Sequence, residues 1–270
     1  SYNNLSGMIP KCLVHSNVLS VLDLRMNSLY GTIPATFSKR NNFRNINLNG
    51  NQLEGPLPRS LENCRYLEVL DLGNKISGTF PHWLESLPEL RVLVLRSNKF
   101  HGAIASPKTK FSFPNLRIID LSHNEFHGLL PTKYFNHFKA MMGKNANNGK
   151  LKYMGESYYH NSVMVTMKGF YIEMVKVQNL FTTIDFSNNS FKGEIPKSIG
   201  MLKSLKGLNF SHNNLIGHMP PTLGNLSNLE WLDLSSNMVI GEIPIKLADI
   251  TYLEVLNLSE NHLVGMIPRG

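Results

Sequence analysis

The stretch Leu19-Ser-Val-Leu22-Asp-Leu24-Arg-Met-Asn27-Ser-Leu29-Tyr-Gly31-Thr-Ile33-Pro34 is one copy of a pattern that recurs along this chain of 270 residues. The asparagine of the pattern recurs at a constant interval from Asn3 to Asn51 and again from Asn189 to Asn261. The equivalent asparagines are Asn3, Asn27, Asn51, Asn74, Asn98, Asn124, Asn189, Asn213, Asn237 and Asn261. Nine copies and the tail of a tenth predict an array in which each copy buries its apolar face against the next.

The spacing within one copy predicts how each coil is built. Side chains alternate along a strand, so Leu22 and Leu24 face inward while the residues between them face outward on a concave surface. The amide of Asn27 can bond backbone groups that would otherwise be buried without a partner. Gly31 permits a bend, and Pro34 stiffens the return. These features predict an α/β solenoid of leucine-rich repeats with a parallel sheet on its concave face.

A long insertion interrupts the array between Asn124 and Asn189, where the interval far exceeds one repeat. We predict repeats in 1–131 (a tail and five copies), an island in 132–179 and four repeats in 180–270, with an unbroken strand ladder across the insertion. The island carries seven lysines against two glutamates, a net charge of +5, and the aromatic residues Tyr134, Phe135, Phe138, Tyr153, Tyr158, Tyr159, Phe170 and Tyr171. Basic and aromatic residues together suit a recognition surface. The alternative is a packed insert that covers the solenoid flank.

The Leu-x-Gly-x-Ile-Pro segment resembles the plant-specific leucine-rich-repeat subtype of extracellular receptors. An island followed by four repeats resembles plant receptor-like proteins of the Cf and xylanase-elicitor-receptor type, which carry a Tyr-x8-Lys-Gly motif in the island. Here the motif is Tyr159 followed by Lys168-Gly169. Preceding segments that match the family are Pro81-x-Trp83-Leu84, Leu93-Val-Leu-Arg-Ser-Asn98 and Phe113-Pro-x-Leu-Arg117. The resemblance implies that the island and the adjoining repeats bind ligand and recruit a co-receptor kinase.

From this resemblance we assign ligand binding to the end of the island. The assigned residues are Tyr158, Tyr159, Lys168, Gly169, Phe170 and Tyr171. Alternation over 162–167 predicts a strand, whose Val163 and Val165 either add to the sheet edge or fold onto the coils. Lys168 would offer a charge to an acidic ligand group or a carbonyl, and Gly169 would permit a close turn.

The four coils after the island are expected to contact the co-receptor, a kinase of the somatic-embryogenesis type. Trp231 occupies an outward position, and a large exposed aromatic needs a covering partner. The assigned contact residues are Lys206, Glu230, Trp231, Asp233, Glu254 and Val255. The alternative is that Trp231 lies against neighbouring outward side chains.

The two cysteines are not expected to form a disulfide. Cys64 matches core leucines of other copies, whereas Cys12 matches half-exposed positions. They are two coils apart, roughly 10 Å from the strand spacing, which exceeds the roughly 7 Å between Cα atoms that a bridge allows.

Glycan acceptors and the repeat subtype support an extracellular assignment. Five Asn-x-Ser sequons mark candidate glycan sites at Asn4, Asn188, Asn209, Asn225 and Asn257. Neither end shows capping cysteines, so we expect part of a longer ectodomain without its caps. By resemblance, the protein lies on the extracellular side of the plasma membrane and meets the membrane only through a C-terminal helix absent from this sequence.

The sequence gives little support for catalysis or for binding of a metal, a cofactor or nucleic acid. The pair His123-x3-His127 straddles a repeat turn rather than one helical face, so we expect no zinc site and no cofactor. The net charge of +8 concentrates in the island without a nucleic-acid-binding motif. In the third copy, 72–76 is one residue short, which means a pinched coil or a missing residue.

The leading interpretation is the ligand-sensing region of a kinase-lacking plant immune receptor that recognises a microbial peptide or secreted protein. One alternative is the ectodomain of an island-containing receptor kinase for a hormone. Another is a secreted inhibitor of cell-wall-degrading enzymes, a class that lacks an island.

Overall fold

The computed structural model of the chain describes residues 1–143, 153–155, 159 and 162–269. The chain winds into stacked coils, here numbered 1 to 9 by the asparagines Asn27, Asn51, Asn74, Asn98, Asn124, Asn189, Asn213, Asn237 and Asn261. Each coil adds one strand to each of two parallel sheets. We call them the concave sheet and the lateral sheet.

In the described residues the concave sheet has nine strands: Val21–Asp23, Asn45–Asn47, Val69–Asp71, Val92–Val94, Ile118–Asp120, Thr183–Asp185, Gly207–Asn209, Trp231–Asp233 and Val255–Asn257. Over the same residues the lateral sheet has ten: Ser6–Gly7, Ser28–Thr32, Gln52–Pro56, Lys75–Gly78, Lys99–Ala103, Glu125–Leu129, Ser190–Glu194, Asn214–His218, Met238–Gly241 and His262–Leu263. Short α-helices are Lys11–Val14, Thr132–Phe135 and Lys139–Met142, and 3-10 helices are Arg59–Asn63, His82–Ser86, Lys197–Met201, Pro221–Asn225 and Ile245–Leu247.

The concave strand ladder continues across the insertion, as predicted. Ile119 of coil 5 is the register partner of Ile184 of coil 6, although the whole insertion lies between these positions in the chain. The lateral strands of the same two coils also pair, with Gly128 opposite Phe191. The insertion therefore leaves the solenoid from one coil and returns to the next without breaking the stack.

The lateral sheet was not predicted from the sequence, which indicated only a bend at each glycine. The bend is present, since Gly55 has a φ of +76° and its hydrogen faces Thr32 of the preceding coil. A Cβ on Gly55 would lie 2.9 Å from Thr32 Cγ2. The glycine thus lets two neighbouring lateral strands approach closely enough to pair.

The repeated asparagine joins adjacent coils through its side-chain amide, as predicted. Asn213 Nδ2 donates to the carbonyl oxygens of Phe186 at 3.0 Å and Phe210 at 3.1 Å. Its Oδ1 accepts from the backbone N–H of Phe191 at 2.9 Å. The two carbonyls directly follow concave strands, and the N–H belongs to the lateral strand Ser190–Glu194. The amide supplies the partners that their burial requires.

Coil 3 closes with one residue fewer than its neighbours and keeps the asparagine contacts. Asn74 Nδ2 donates to the carbonyl of Leu48 at 2.8 Å, and its Oδ1 accepts from the N–H of Asn51 at 3.2 Å. In coil 1 the residue before the asparagine, Met26, has a φ of +52°. Gly73, at the equivalent place in coil 3, does not adopt this left-handed conformation. Coil 3 is therefore pinched at Gly73, and the hydrogen bonds of the asparagine ladder are kept.

The first part of the island belongs to the solenoid core. Tyr134, Phe135 and Phe138 are buried among the repeat leucines, so the expectation that these aromatics form a recognition surface is wrong. Tyr134 packs edge-on against Phe80, with ring centroids 5.8 Å apart, and its hydroxyl donates to Glu85 Oε2 at 2.7 Å. Two short helices place these side chains where another coil would supply leucines.

Both cysteines are free in the structure, as the sequence predicted. Cys64 is fully buried in the core, and burial raises the pKa of its thiol to about 12. Cys12 is exposed rather than half-exposed.

Replacing the ladder amide should destabilise the solenoid much more than replacing its neighbour. Asn213→Ala leaves several buried backbone groups without partners, which costs roughly 2 to 4 kcal/mol. Asn214→Ala, at the next position and exposed, is the matched control and should change stability by less than about 0.5 kcal/mol. Urea unfolding followed by circular dichroism measures both. Equal effects would contradict the role assigned to the amide.

Candidate functional site

The second part of the island is an antiparallel hairpin of Val163–Met167 and Phe170–Met174. The two residues between the strands, Lys168 and Gly169, have φ values of +54° and +85°. Positive φ at both central residues is typical of the type I′ turn, which matches the twist of a hairpin. The close turn predicted at Gly169 is thus present, and the Lys-Gly pair has a structural role in forming it. We call residues 162–174 the island hairpin.

The island hairpin lies on the concave sheet rather than at its edge. Val163 and Val165 are buried with at most 1% exposed. They belong to a second apolar cluster, separate from the main core. Its buried members are Val69, Val92, Val94, Ile118, Met154, Val163, Val165, Val177, Phe181 and Trp231. Of the two arrangements that the sequence allowed for this strand, the structure has the one folded onto the coils.

Trp231 is covered, so the prediction that it is exposed on the concave face is wrong. Only 2% of the residue is accessible. Its ring stacks on Phe181 with centroids 5.9 Å apart, and it lies flat over Gly207, where a Cβ would sit 1.9 Å from Cζ2. Because Gly207 of coil 7 has no side chain, the indole of Trp231 on coil 8 fits against it. Trp231 therefore anchors the island and not a foreign chain in this structure.

Ion pairs fix the island hairpin at both of its ends. Glu173 Oε1 contacts Arg25 Nη1 of coil 1 at 2.9 Å. At the turn, Lys168 Nζ is paired with Glu254 Oε2 of coil 9. Because its two ends reach the first and the last coils, the hairpin runs along the solenoid axis inside the concave channel.

Arg96 of coil 4 holds the middle of the hairpin. Its Nη1 donates to Thr166 Oγ1 at 2.8 Å, and its guanidinium lies over the ring of Tyr171 at 4.4 Å from the centroid. On the coil side the same nitrogen is 3.6 Å from Asp120 Oδ2 and 3.7 Å from Asp185 Oδ2. One half-buried cation thus joins both hairpin strands to two carboxylates of the concave sheet.

Two carboxyl groups beneath the hairpin have raised pKa values. Burial raises the pKa of Asp120, the nearby charge of Asp185 raises it further, and Arg96 opposes both. Burial also raises the pKa of Asp71 to about 7. The Tyr171 hydroxyl has a pKa raised to about 12, through burial and the charge of Asp71. Desolvation disfavours the charged form in each case.

Two of the predicted ligand-binding aromatics on the hairpin are accessible to solvent. Phe170 is 72% exposed and Tyr171 is 43% exposed, beside the turn at Lys168 and Gly169. Tyr158 lies outside the described residues.

Tyr159 is not part of this group. Its hydroxyl donates to Asp23 Oδ2 of coil 1 at 3.0 Å, whereas Lys168 contacts coil 9. The two halves of the Tyr-x8-Lys-Gly motif therefore hold the island at opposite ends of the solenoid. Ligand binding by Tyr159, Lys168, Gly169, Phe170 and Tyr171 stays a prediction.

The residues assigned to co-receptor contact make contacts within the chain. Lys206 Nζ pairs with Glu230 Oε1, and Asp233 Oδ1 accepts from the N–H of Ser235 at 2.9 Å. Val255 is half-buried against the second apolar cluster. Glu254 pairs with Lys168 as described above. Contact of these coils with another protein stays a prediction.

The sequons differ in accessibility. Asn4 and Asn225 are exposed, and Asn188 and Asn257 are half-buried. Asn209 is buried on the concave sheet, where its Oδ1 accepts from the N–H of Ser211 at 3.0 Å. A glycan needs its amide in solvent, so this fold does not accommodate the glycan predicted at Asn209.

Sequence reasoning missed Arg96 and its two carboxylates. Asp120 and Asp185 hold the same outward position in consecutive coils, but the insertion lies between them in the chain. A signal was available, because the continuous strand ladder places these two positions side by side. Arginine at an outward position of the preceding coil then predicts an ion pair. Among the described residues no group of three or more potential metal ligands occurs, and no helix there is long and apolar enough to span a bilayer.

The coils, the asparagine ladder and the concave sheet together define a leucine-rich-repeat solenoid with a hairpin laid across its inner face. Comparison with known families agrees. One repeat family, Leucine rich repeat, matches residues 65–126, and a second, Leucine Rich Repeat, matches 42–64, 181–202, 204–226, 228–250 and 252–270. These matches cover more than half of the chain.

The curated proteins that are similar to this chain are plant receptor-like proteins. Receptor-like protein 35 of Arabidopsis thaliana is 48% identical over 210 residues, 76% of this chain and 22% of the relative. The chain belongs to the leucine-rich-repeat family and is similar to plant receptor-like proteins. It spans about a quarter of the length of the curated relatives it matches.

Solved structures show the same fold. A TDR receptor has a TM-score of 0.73 and 26% identity, covering 99% of this chain and 39% of that one. The plant peptide hormone receptor RGFR1, in complex with RGF2, has a TM-score of 0.71 and 28% identity, covering 99% and 40%. Repeats of this kind are ligand-binding modules without enzymatic activity.

Adding one methyl group at Gly207 should expose Trp231. In Gly207→Ala the new Cβ would overlap the indole, so the ring must leave its place and the hairpin loses an anchor. We expect red-shifted tryptophan emission, stronger acrylamide quenching and a loss of roughly 1 to 3 kcal/mol in stability. A Trp83→Phe background isolates Trp231.

Gly143→Ala is the control for this substitution. Nothing lies within 4 Å of the Cβ position at Gly143, which has no left-handed φ. Unchanged emission in Gly207→Ala would mean that Trp231 does not pack against coil 7 in solution.

Proposed function

We propose that this chain is part of the ligand-sensing region of a plant cell-surface immune receptor-like protein, on the extracellular side of the plasma membrane. One observation carries the proposal. The island hairpin covers the concave sheet and leaves Phe170 and Tyr171, 72% and 43% exposed, accessible to solvent. Exposed aromatics on an anchored support are typical of binding hot spots, because they bury large area at little entropic cost.

The support beneath these aromatics is rigid. Arg96 lies under Tyr171, and ion pairs hold the turn and the opposite end of the hairpin. A preorganised surface loses less conformational freedom on binding than a loose loop does. The surface therefore suits recognition of a peptide or protein ligand, and the structurally similar receptor RGFR1 is described in complex with RGF2.

The ligand we propose is a microbial peptide or secreted protein. The proposal combines the aromatic surface with the likeness to receptor-like proteins over 76% of the chain. A hormone peptide is the second candidate, favoured by the likeness to a plant peptide hormone receptor at a TM-score of 0.71.

Two phenylalanines of nearly equal exposure allow a matched test. Phe170 is 72% exposed on the hairpin, and Phe111 is 68% exposed on the loop that precedes the concave strand of coil 5. We expect Phe170→Ser to lower the affinity for an active ligand at least tenfold, about 1.4 kcal/mol, and Phe111→Ser to leave it unchanged. Receptors carrying this chain would be expressed in plant cells, treated with fractionated microbial culture filtrate and assayed for an oxidative burst.

Binding of the purified active fraction to the ectodomain, followed by biolayer interferometry, separates recognition from signalling. Equal loss in both variants, or none in either, would contradict ligand recognition by the hairpin. Activity with a plant peptide instead of microbial fractions would favour the hormone candidate.

We further propose that coils 7 to 9 help recruit a co-receptor kinase of the somatic-embryogenesis type. The polar rim formed by Lys206, Glu230, Asp233 and Glu254 lies beside the hairpin turn, so one partner could contact ligand and rim together. The burial of Trp231 shifts this proposal from an aromatic anchor to the charged rim.

A charge swap tests the rim. Lys206→Glu combined with Glu230→Lys restores the internal ion pair but inverts the charges offered to a partner. We expect ligand-dependent co-precipitation of the kinase to fall at least several-fold, with thermal stability within about 0.5 kcal/mol of wild type. Normal recruitment by the double variant would place the contact elsewhere.

A further inference from the structure

The charges beneath the island hairpin do not balance. In the described part of the chain, Arg96 is the one cation within 4 Å of Asp120 and Asp185, at 3.6 and 3.7 Å. Oδ2 of each aspartate is buried and accepts no hydrogen bond from any described residue. Two carboxylates face one guanidinium, so the group carries one excess negative charge when both are ionised.

The remaining contacts of these aspartates do not neutralise that charge. Asp120 Oδ1 accepts from the backbone N–H and the hydroxyl of Ser122, at 2.9 and 2.5 Å. Asp185 Oδ1 accepts in the same way from Ser187, at 3.0 and 2.7 Å. The hairpin contributes Thr166 through Arg96, a neutral hydroxyl. Seating the hairpin therefore removes water from an unbalanced charge, which is costly at low dielectric.

A third carboxylate lies under the same hairpin. Asp71 is completely buried and accepts from Asn49 Nδ2 at 3.0 Å and Asn47 Nδ2 at 3.4 Å, both neutral donors. Arg25, the nearest charged influence of opposite sign, already pairs with Glu173 at 2.9 Å. The raised pKa values of Asp71 and Asp120 described above agree with this geometry.

We propose that seating of the island hairpin on the concave sheet is coupled to uptake of at least one proton by Asp71 and Asp120. Acid then holds the hairpin closed, and rising pH loosens it. The inference concerns regulation of the recognition surface and rests on the proposed function only for its biological meaning.

The direction follows from the pKa shifts. With the hairpin lifted, a hydrated aspartate ionises at about pH 3.9; beneath the hairpin the pKa of Asp71 is about 7. A group whose pKa rises on seating contributes stability that is complete below the lower value and lost as pH rises through the higher one. One linked proton changes the seating equilibrium by at most about tenfold per pH unit.

Other titratable groups also face this region. The pKa of His123 is lowered, first by burial and then by Arg96, so His123 opposes seating in acid. It is exposed at the edge of the group, and this reduces its effect. The hydroxyl groups of Tyr159 and Tyr171 both have raised pKa values and stay neutral at physiological pH. Asp23 and Arg25 pair with each other at 3.4 Å beside Asp71.

Amide hydrogen exchange of the ligand-free protein tests the coupling. An isolated two-stranded hairpin is marginally stable, so amides of 162–174 exchange when the hairpin lifts. After correction for intrinsic rates, we expect the opening constant of this segment to rise at least roughly tenfold from pH 5.5 to 7.5. The lateral strand Asn214–His218 reports global unfolding and should stay protected. A pH-independent opening constant would overturn the proposal.

Charge-neutralising variants identify the groups. Asp120→Asn and Asp185→Asn each leave Arg96 with one carboxylate and should reduce the pH dependence, so that more of the hairpin stays seated at pH 7.5 than in the wild type. Arg96→Gln leaves both carboxylates uncompensated and should steepen it. Asp249→Asn, an exposed aspartate outside the concave sheet, is the charge-matched control and should behave as wild type.

The variants also guard against a misfolded protein. If one aspartate variant loses protection in the lateral strand, that variant is misfolded. The pH dependence of the other aspartate variant and of Arg96→Gln then tests the proposal. Full wild-type pH dependence in every folded variant would overturn the assignment. Because no ligand is present, this outcome is independent of the Phe170→Ser binding test. If the hydrogen-exchange test fails, the proposed ligand recognition is unaffected, and the reverse also holds.

Discussion

The hydrogen bonds of the repeated asparagine amide are the interaction on which the rest of the structure depends. A solenoid of short strands must turn its backbone every few residues inside an apolar stack, and each turn buries N–H and C=O groups that no strand can pair. Asn98, for example, donates to the carbonyls of Leu72 and Leu95 at 2.7 and 2.9 Å. Leaving such groups unpaired would cost a few kcal/mol per coil. The period therefore follows from polar satisfaction as much as from leucine packing.

Because the ladder fixes every coil in register, outward positions form continuous rows across the concave sheet, even where the insertion separates coils 5 and 6. Apolar residues in one row, such as Val92 and Ile118, would face water on a bare solenoid. The island hairpin covers them with Val163 and Val165 and creates a second core. Each buried valine contributes roughly 1.5 to 3 kcal/mol. A two-stranded hairpin gains the stability here that it lacks alone.

Features set by local chemistry could be predicted from the sequence. The coil, the ladder, the core thiol of Cys64 and the turn at Gly169 each follow from a spacing or a residue type. The covered Trp231 and the Arg96 site could not be predicted, because they depend on which face the island contacts. A valine strand such as 162–167 pairs equally well with a sheet edge or an apolar row. Only the row of neighbouring outward residues, spread along the chain from Val69 to Trp231, distinguishes the two.

Covering the inner face changes what a ligand can contact. A ligand that entered the concave channel directly would have to displace Val163, Val165 and the three charged contacts at Arg25, Arg96 and Glu254. That displacement returns several kcal/mol of apolar burial to water. It also breaks the partly buried ion pair between Arg25 and Glu173, which is costly because Arg25 is left without this partner. A ligand that binds the solvent-accessible parts of Phe170 and Tyr171 meets neither penalty. Under the proposed function, the hairpin and the flanking coils are therefore the surface that a ligand contacts, and any force that loosens the hairpin also alters that surface.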